Sequence, residues 1–181
     1  MTAAEAYELT TQGGATDFAR VVAACEASGH WCLIGGLAVN VFVEPVYTLD
    51  ADLVVIASGL GELAENLREQ GFVIEEHEHS LNARGLGSDL RIQFTTDERY
   101  QAFLARSVEA VVLGIPVRVA CLEDTTQGKL WAYGDPTRRF SKRKLIQQTK
   151  KDELDLIRLA EAWPELRPMY PTELLEQIDR G

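Results

Sequence analysis

The chain has 181 residues, which is long enough for one domain with a sizeable hydrophobic core. Its apolar fraction of 46% is ordinary for a soluble protein. No apolar run approaches the roughly 20 residues that a membrane span needs, so we expect no membrane partner. The net charge of −10 argues against a protein that coats nucleic acid unspecifically. The start of the chain lacks a signal-peptide pattern, and its three cysteines have no CxxC spacing, which together predict a cytoplasmic protein with reduced thiols.

Hydrophobic periodicity predicts an α+β core over residues 1–120 and a helical lobe over residues 121–181. Residues 1–15 are predicted to be weakly ordered, and residues 80–88 to be a polar, glycine-rich link. The helices are predicted at 17–28, 37–43, 60–70, 99–106, 122–133, 141–163 and 172–179, and the strands at 31–34, 51–56, 72–77, 90–94, 108–112 and 117–120. No long linker separates the two parts, so we expect the lobe to pack on the core as one structural unit.

A Gly-Gly turn at Gly35 and Gly36 precedes a strand that opens with Asp50 and Asp52. Residues i and i+2 of a strand share a face, so both carboxylates and Thr48 are predicted to project from one side. Like charges so close together favour a bound divalent cation, Mg²⁺ or Mn²⁺. The turn exposes N–H groups at a helix N-terminus, which can bind phosphate oxygens. The Gly-Gly turn alone indicates an ordinary turn, and the Asp pair alone indicates an ordinary strand start. The two together favour a site that binds phosphate and a metal.

Basic residues are concentrated late in the chain. Seven of the 18 basic residues lie between positions 138 and 151, in a stretch that contains no acid. They are Arg138, Arg139, Lys142, Arg143, Lys144, Lys150 and Lys151. A local cationic patch on an acidic protein can bind a phosphate-bearing partner, and a solvated helix face explains the pattern equally well.

Three stretches resemble a known family. The Gly35-Gly36 turn followed by Asp50 and Asp52 resembles the first motif of the nucleotidyltransferase fold. Residues 122–139 (LEDTTQGKLWAYGDPTRR) and 151–166 (KDELDLIRLAEAWPEL) resemble the second half of the AbiEii-type nucleotidyl transferase toxin family. That family includes the toxin partners of toxin–antitoxin pairs that modify tRNA ends. The resemblance implies a mixed sheet flanked by helices, with a C-terminal helical lobe.

The resemblance also implies roles for individual residues. Asp50 and Asp52 would be catalytic metal ligands, Lys129 would contact the triphosphate, and Asp152 would act near the acceptor, with Asp155 as the competing candidate. From the residues alone, Lys129 lies in a neutral helix segment and needs an anionic partner, either a triphosphate or a facing carboxylate. Asp152 and Asp155 share a helix face, which by itself favours an ordinary surface pattern. The substrate-binding residues are predicted to be Gly35, Gly36, Thr48, Lys129, Arg138 and Arg139.

Two positions depart from the family pattern. Val46 replaces a basic residue before the Thr48 strand, and Gln93 stands where the superfamily often has a third acid. Two hypotheses therefore remain open. The first is an Mg²⁺-dependent nucleotidyltransferase that moves an NMP group from an NTP to an acceptor, with tRNA or another RNA as candidate acceptor and an antitoxin as candidate partner. The second is a catalytically weak or inactive nucleotidyltransferase-fold binding module.

Overall fold

The computed structural model describes residues 1–135 and 142–180, with residues 142–145 described as backbone alone. Its α-helices are α1 (Ala3–Thr10), α2 (Gly14–Ser28), α3 (Gly35–Phe42), α4 (Leu60–Glu69), α5 (Glu98–Gln101), α6 (Leu122–Gly134), α7 (Lys142–Ala162) and α8 (Thr172–Arg180). Its strands are β1 (Trp31–Ile34), β2 (Asp50–Val55), β3 (Val73–Glu76), β4 (Ser80–Arg84), β5 (Arg91–Thr95), β6 (Val108–Val112) and β7 (Ile115–Val119). Short 3₁₀ turns cover Ala57–Gly59, Leu104–Arg106 and Pro164–Met169.

The strands of the described residues form one mixed sheet in the order β3-β4-β5-β2-β1-β7-β6. Strand β2 lies at its centre, antiparallel to β1 and parallel to β5. This arrangement confirms the predicted nucleotidyltransferase-like mixed sheet flanked by helices. None of the described helices is both long enough and apolar enough to cross a membrane.

Strand β2 alternates between two environments. Ala51, Leu53 and Val55 are buried in a core cluster that also contains residues of α2 and α4. Asp50 and Asp52 are the intervening residues and are only partly buried. Because side chains alternate along a strand, burial of the apolar set directs both carboxylates to the other face of the sheet.

Helix α3 connects the sheet to the C-terminal helices. Its Val39 belongs to a second apolar cluster with Leu156 and Leu159 of α7 and with Tyr170. Helix α3 also packs against β1, β2 and α6. Helix α3, which starts at the Gly-Gly turn, therefore contacts both the sheet and the C-terminal helices. The predicted domain boundary at residue 120 stays a prediction, and it falls between the end of β7 at Val119 and the start of α6 at Leu122.

Two local predictions were wrong. Residues 1–15 are not weakly ordered, because α1 begins with a capping box in which Thr2 and Glu5 bond each other's backbone N–H groups. The buried Tyr7 then anchors this helix to the rest of the protein. Residues 80–88 are not a plain link, since Leu81 and Ala83 are buried on β4 and give it the alternation of a half-buried strand.

Candidate active site

The Gly-Gly turn lies directly against Asp52. Strand β1 ends at Ile34, which is paired with Asp52 across the antiparallel ladder, and α3 begins at the next residue. Gly35 has a φ of +72°, and a Cβ atom at this position would collide with Asp52 Oδ2. Both the backbone conformation and the lack of space therefore require glycine. Folding brings the start of α3 and the carboxylate of Asp52 into contact.

Thr48 links the turn to Asp50. Its hydroxyl oxygen lies 3.6 Å from the position that a Cβ on Gly36 would occupy. The same oxygen accepts hydrogen bonds from the backbone N–H of Asp50 at 3.2 Å and from Lys151 Nζ at 2.8 Å. The carbonyl of Thr48 accepts a bond of 2.8 Å from the Tyr7 hydroxyl. Burial of that hydroxyl and the nearby carboxylate of Asp50 raise the pKa of Tyr7.

Asp50 is held by two cationic side chains. Lys151 Nζ lies 2.9 Å from its Oδ2, and Arg91 Nε lies 2.7 Å from its Oδ1. Arg91 is opposite Asp50 in the parallel β2–β5 ladder, so the sheet register brings this pair together. The cluster is open to solvent, with side-chain exposures of 26% for Asp50, 33% for Lys151 and 59% for Arg91.

Asp52 lacks such partners. Within residues 1–135 and 142–180, its side chain has no hydrogen bond or ion pair. Burial, together with the charge of Asp50, raises the pKa of Asp52 from 3.8 to about 6. The positive charges of Lys129 and Lys151 oppose this increase, while Asp152 adds to it. Gln93 is opposite Asp52 in the β2–β5 ladder, as the predicted alignment of that slot requires.

A buried charge network lies between α6 and α7. Lys129 Nζ is 3.0 Å from Asp152 Oδ1 and 2.7 Å from Asp155 Oδ2, and all three residues are buried. Burial lowers the pKa of Lys129, but the two carboxylates outweigh it and the net shift is upward. Arg158 continues the network with an ion pair of 2.9 Å to Asp155. It also donates to the carbonyl of Glu44 in the loop after α3.

The structure thus brings Gly35, Gly36, Thr48, Asp50 and Asp52 together at one corner of the sheet. The charges of Lys129 and Asp152 reach this corner, since both act on the pKa of Asp52. In the free protein, however, these two residues are bonded to each other. The predicted substrate-binding residues Arg138 and Arg139 lie outside the described residues.

Sequence reasoning missed three residues of the corner. Tyr7 falls in a segment predicted to be weakly ordered, and Arg91 looks like any exposed residue of an alternating strand. From the sequence alone, Lys151 is one residue of the basic run. No local pattern distinguishes it from the other lysines of that run, because its partner Asp50 lies 101 residues away in the chain.

The residues of this corner supply part of a binding site for a divalent cation. No group of three or more His, Cys, Asp or Glu side chains able to hold a metal occurs among the described residues. Asp52 nevertheless offers an unpaired carboxylate beside Asp50, whose own partners are solvent-exposed. Mg²⁺ commonly binds one or two carboxylates and completes its shell with waters and substrate phosphates. Asp50 and Asp52 are therefore suitable ligands for a cation that arrives with a nucleotide.

Comparison with known proteins supports the fold. No family model matches the chain, and no curated protein matches it. The structure is similar to that of the antibiotic-resistance factor ANT(2'')-Ia in complex with adenylyl-2''-tobramycin, with 21% identity, coverage of 86% of this chain and 98% of that chain, and a TM-score of 0.53. It is also similar to the solution structure of ANT(2'')-Ia, with 20% identity, coverage of 91% and 98%, and a TM-score of 0.50. JHP933 from Helicobacter pylori shares 17% identity over 88% of this chain and 68% of that chain, with a TM-score of 0.50.

The chain has a nucleotidyltransferase-like fold. The comparisons do not test the finer resemblance to the AbiEii-type family, which stays a prediction.

Proposed function

We propose that the protein is an Mg²⁺- or Mn²⁺-dependent nucleotidyltransferase that moves an NMP group from an NTP to an acceptor. The observation that carries this proposal is the contact between the Gly35 turn and the carboxylate of Asp52, which has no ion pair within the described residues, with Asp50 beside it on the same strand face. A helix N-terminus binds phosphate oxygens, and neighbouring carboxylates bind the cation that accompanies them. Nucleotidyl transfer requires little more than this combination.

The reaction would be a displacement at the α-phosphorus. An acceptor hydroxyl oxygen forms a bond to that phosphorus while the bond to the β-phosphate oxygen breaks, so that pyrophosphate leaves and the hydroxyl proton is released. A cation held by Asp50 and Asp52 would neutralise charge on the phosphate oxygens. The N–H groups at Gly35 and Gly36 would orient the phosphates, and Thr48 would keep Asp50 in place through the bond from its backbone N–H.

Lys129 and Asp152 have a positioning role in this proposal. Their buried ion pair joins α6 to α7 and contributes to the electric field at Asp52. Contact of Lys129 with the triphosphate, and of Asp152 with the acceptor, remain predictions that the resemblance implies.

The proposed acceptor is an RNA such as tRNA. The basic run at 138–151 supports this choice, because it places cationic side chains immediately before Asp152. If several phosphates are contacted, RNA affinity will fall steeply as salt is raised, because counterions are released on binding. Salt-insensitive binding would argue for a protein or small-molecule acceptor. An antitoxin is a further proposed partner.

The test is label transfer from each α-labelled NTP to total RNA in the presence of Mg²⁺. We expect transfer with one or more NTPs, and a loss of at least about a hundredfold in Asp52→Ala, as is typical when a group that stabilises transition-state charge is removed. Asp179→Asn is the matched control, because this exposed carboxylate on α8 pairs with Arg167.

The second candidate function is a non-catalytic binding module. Two observations favour it: Gln93 rather than an acid faces Asp52, and two cations already neutralise Asp50. Nucleotide binding by calorimetry without label transfer under any NTP would select this alternative. The absence of both binding and transfer would exclude the two candidates together.

A further inference from the structure

Lys151 occupies the point where the phosphate-binding turn and the carboxylate pair meet. Its ammonium group bonds Thr48 Oγ1 at 2.8 Å and Asp50 Oδ2 at 2.9 Å. Thr48 Oγ1 is in turn 3.6 Å from the position that a Cβ on Gly36 would occupy, so the Thr48 side chain lies between Lys151 and the turn. The Lys151 side chain is 33% exposed, which leaves its flexible four-carbon stem room to move.

The backbone beneath Lys151 is anchored independently of this contact. The next residue along α7, Asp152, is 1% exposed and bonded to the buried Lys129. Arg158 ties the same helix to the loop after α3. The Lys151 ammonium can therefore exchange partners without any movement of α7.

The charges around Asp50 determine when Lys151 would exchange partners. Lys151 and Arg91 each neutralise one oxygen of Asp50 in the free protein. A divalent cation bound by Asp50 and Asp52 would weaken the contact between Lys151 and Asp50, because the cation and the ammonium group repel each other. Triphosphate oxygens at the neighbouring turn would offer the displaced ammonium a new anionic partner.

We propose that Lys151 holds the place of the divalent cation in the free protein and transfers to the phosphate oxygens when cation and nucleotide bind together. This inference rests on the proposed function. Lys151 then opposes binding of the cation alone and favours binding of the nucleotide with its cation. The protein would consequently discriminate against free metal and take up the metal–nucleotide complex as a unit.

The experiment measures Mn²⁺ binding by electron paramagnetic resonance, first alone and then with the α,β-methylene analogues of the four common NTPs. For Lys151→Met, Mn²⁺ alone should bind about fivefold more tightly, since an exposed ion pair that competed with it is gone. The Mn²⁺–nucleotide complex should bind about tenfold more weakly, because a charge-assisted contact to phosphate is lost. The distinguishing result is that the substitution raises the affinity for Mn²⁺ alone and lowers the affinity for the Mn²⁺–nucleotide complex.

Arg180→Met is the control. Arg180 is an exposed cation on α8, is 77% exposed and pairs with Glu176, so neither affinity should change. Lys151→Arg is a second variant that keeps the positive charge, and it should not tighten Mn²⁺ binding. Circular dichroism of each variant checks that the fold is retained.

The failure of this inference is distinguishable from the failure of the proposed function. If the wild type binds the Mn²⁺–nucleotide complex but Lys151→Met binds Mn²⁺ alone no more tightly than the wild type does, the inference is overturned and the proposed function is left intact. Wild-type protein that binds neither Mn²⁺ nor any nucleotide analogue would overturn both.

Discussion

Two lysine–aspartate clusters meet at adjacent residues of α7, and they differ in burial. Lys129, Asp152 and Asp155 have side chains that are at most 7% exposed, whereas Asp50 and Lys151 are 26% and 33% exposed. A buried ion pair is costly to break, because the charge left behind is poorly hydrated. An exposed pair contributes little and can exchange partners with solvent or ligands. The same pair of residue types therefore anchors the helix in one cluster and stays accessible to solvent in the other.

The strongest test of this contrast compares Lys129→Met with Lys151→Met. Removal of Lys129 withdraws the ammonium between two buried carboxylates and should lower the free energy of unfolding by about 3–5 kcal/mol. Removal of Lys151 should lower it by less than about 1 kcal/mol, because its partners remain hydrated. Urea denaturation followed by circular dichroism measures both values. If both variants lost the same free energy of unfolding, the difference in burial would not make the two clusters differ in their contribution to stability.

The next effect concerns the pH dependence of stability that Asp52 produces. Its pKa in the folded protein is about 6, above the ordinary value of 3.8, so its ionised form is disfavoured by folding. The destabilisation is absent below the unfolded pKa, grows as pH rises between these two values, and is complete above the folded one. Asp52→Asn should therefore be more stable than wild type by about 1–3 kcal/mol at about pH 7.5, and equally stable at about pH 3, which lies below the unfolded pKa.

Denaturation curves of Asp52→Asn and wild type at the two pH values, recorded with EDTA, test this expectation. Asp179→Asn serves again as control and should show no comparable gain at the higher pH. A stabilisation of Asp52→Asn that is independent of pH would contradict the assignment to the ionised carboxylate.

The smallest effect concerns the bond from Tyr7 of α1 to Thr48, which lies beside Asp50 and Lys151. Tyr7→Phe removes the hydroxyl that donates to the buried carbonyl of Thr48 and should cost about 1 kcal/mol of unfolding free energy. Tyr47→Phe is the matched control, since Tyr47 packs beside the Tyr7 ring and is 55% exposed. If the two variants had the same stability, α1 would not brace Thr48 through this bond.

Sequence patterns predicted most of the helices and strands, because those elements depend on local periodicity. The errors have local explanations as well. The capping box of Thr2 and Glu5 is a sequence signature of a helix start, and the alternation of Leu81 and Ala83 indicates a half-buried strand although glycines follow directly after Arg84. Lys129 was correctly expected to need an anionic partner, but spacing alone could not choose between a triphosphate and a carboxylate.

The sequence by itself determined that Asp50 and Asp52 share a strand face and that a glycine turn precedes them. These features follow from the two-residue period of a strand and from backbone sterics, both of which act locally. Only the tertiary structure decided which cation meets which carboxylate. Lys151 reaches Asp50 from 101 residues away, and Lys129 pairs with Asp152 across 23 residues. Such contacts depend on how α6 and α7 pack against α3, and no local pattern encodes that packing.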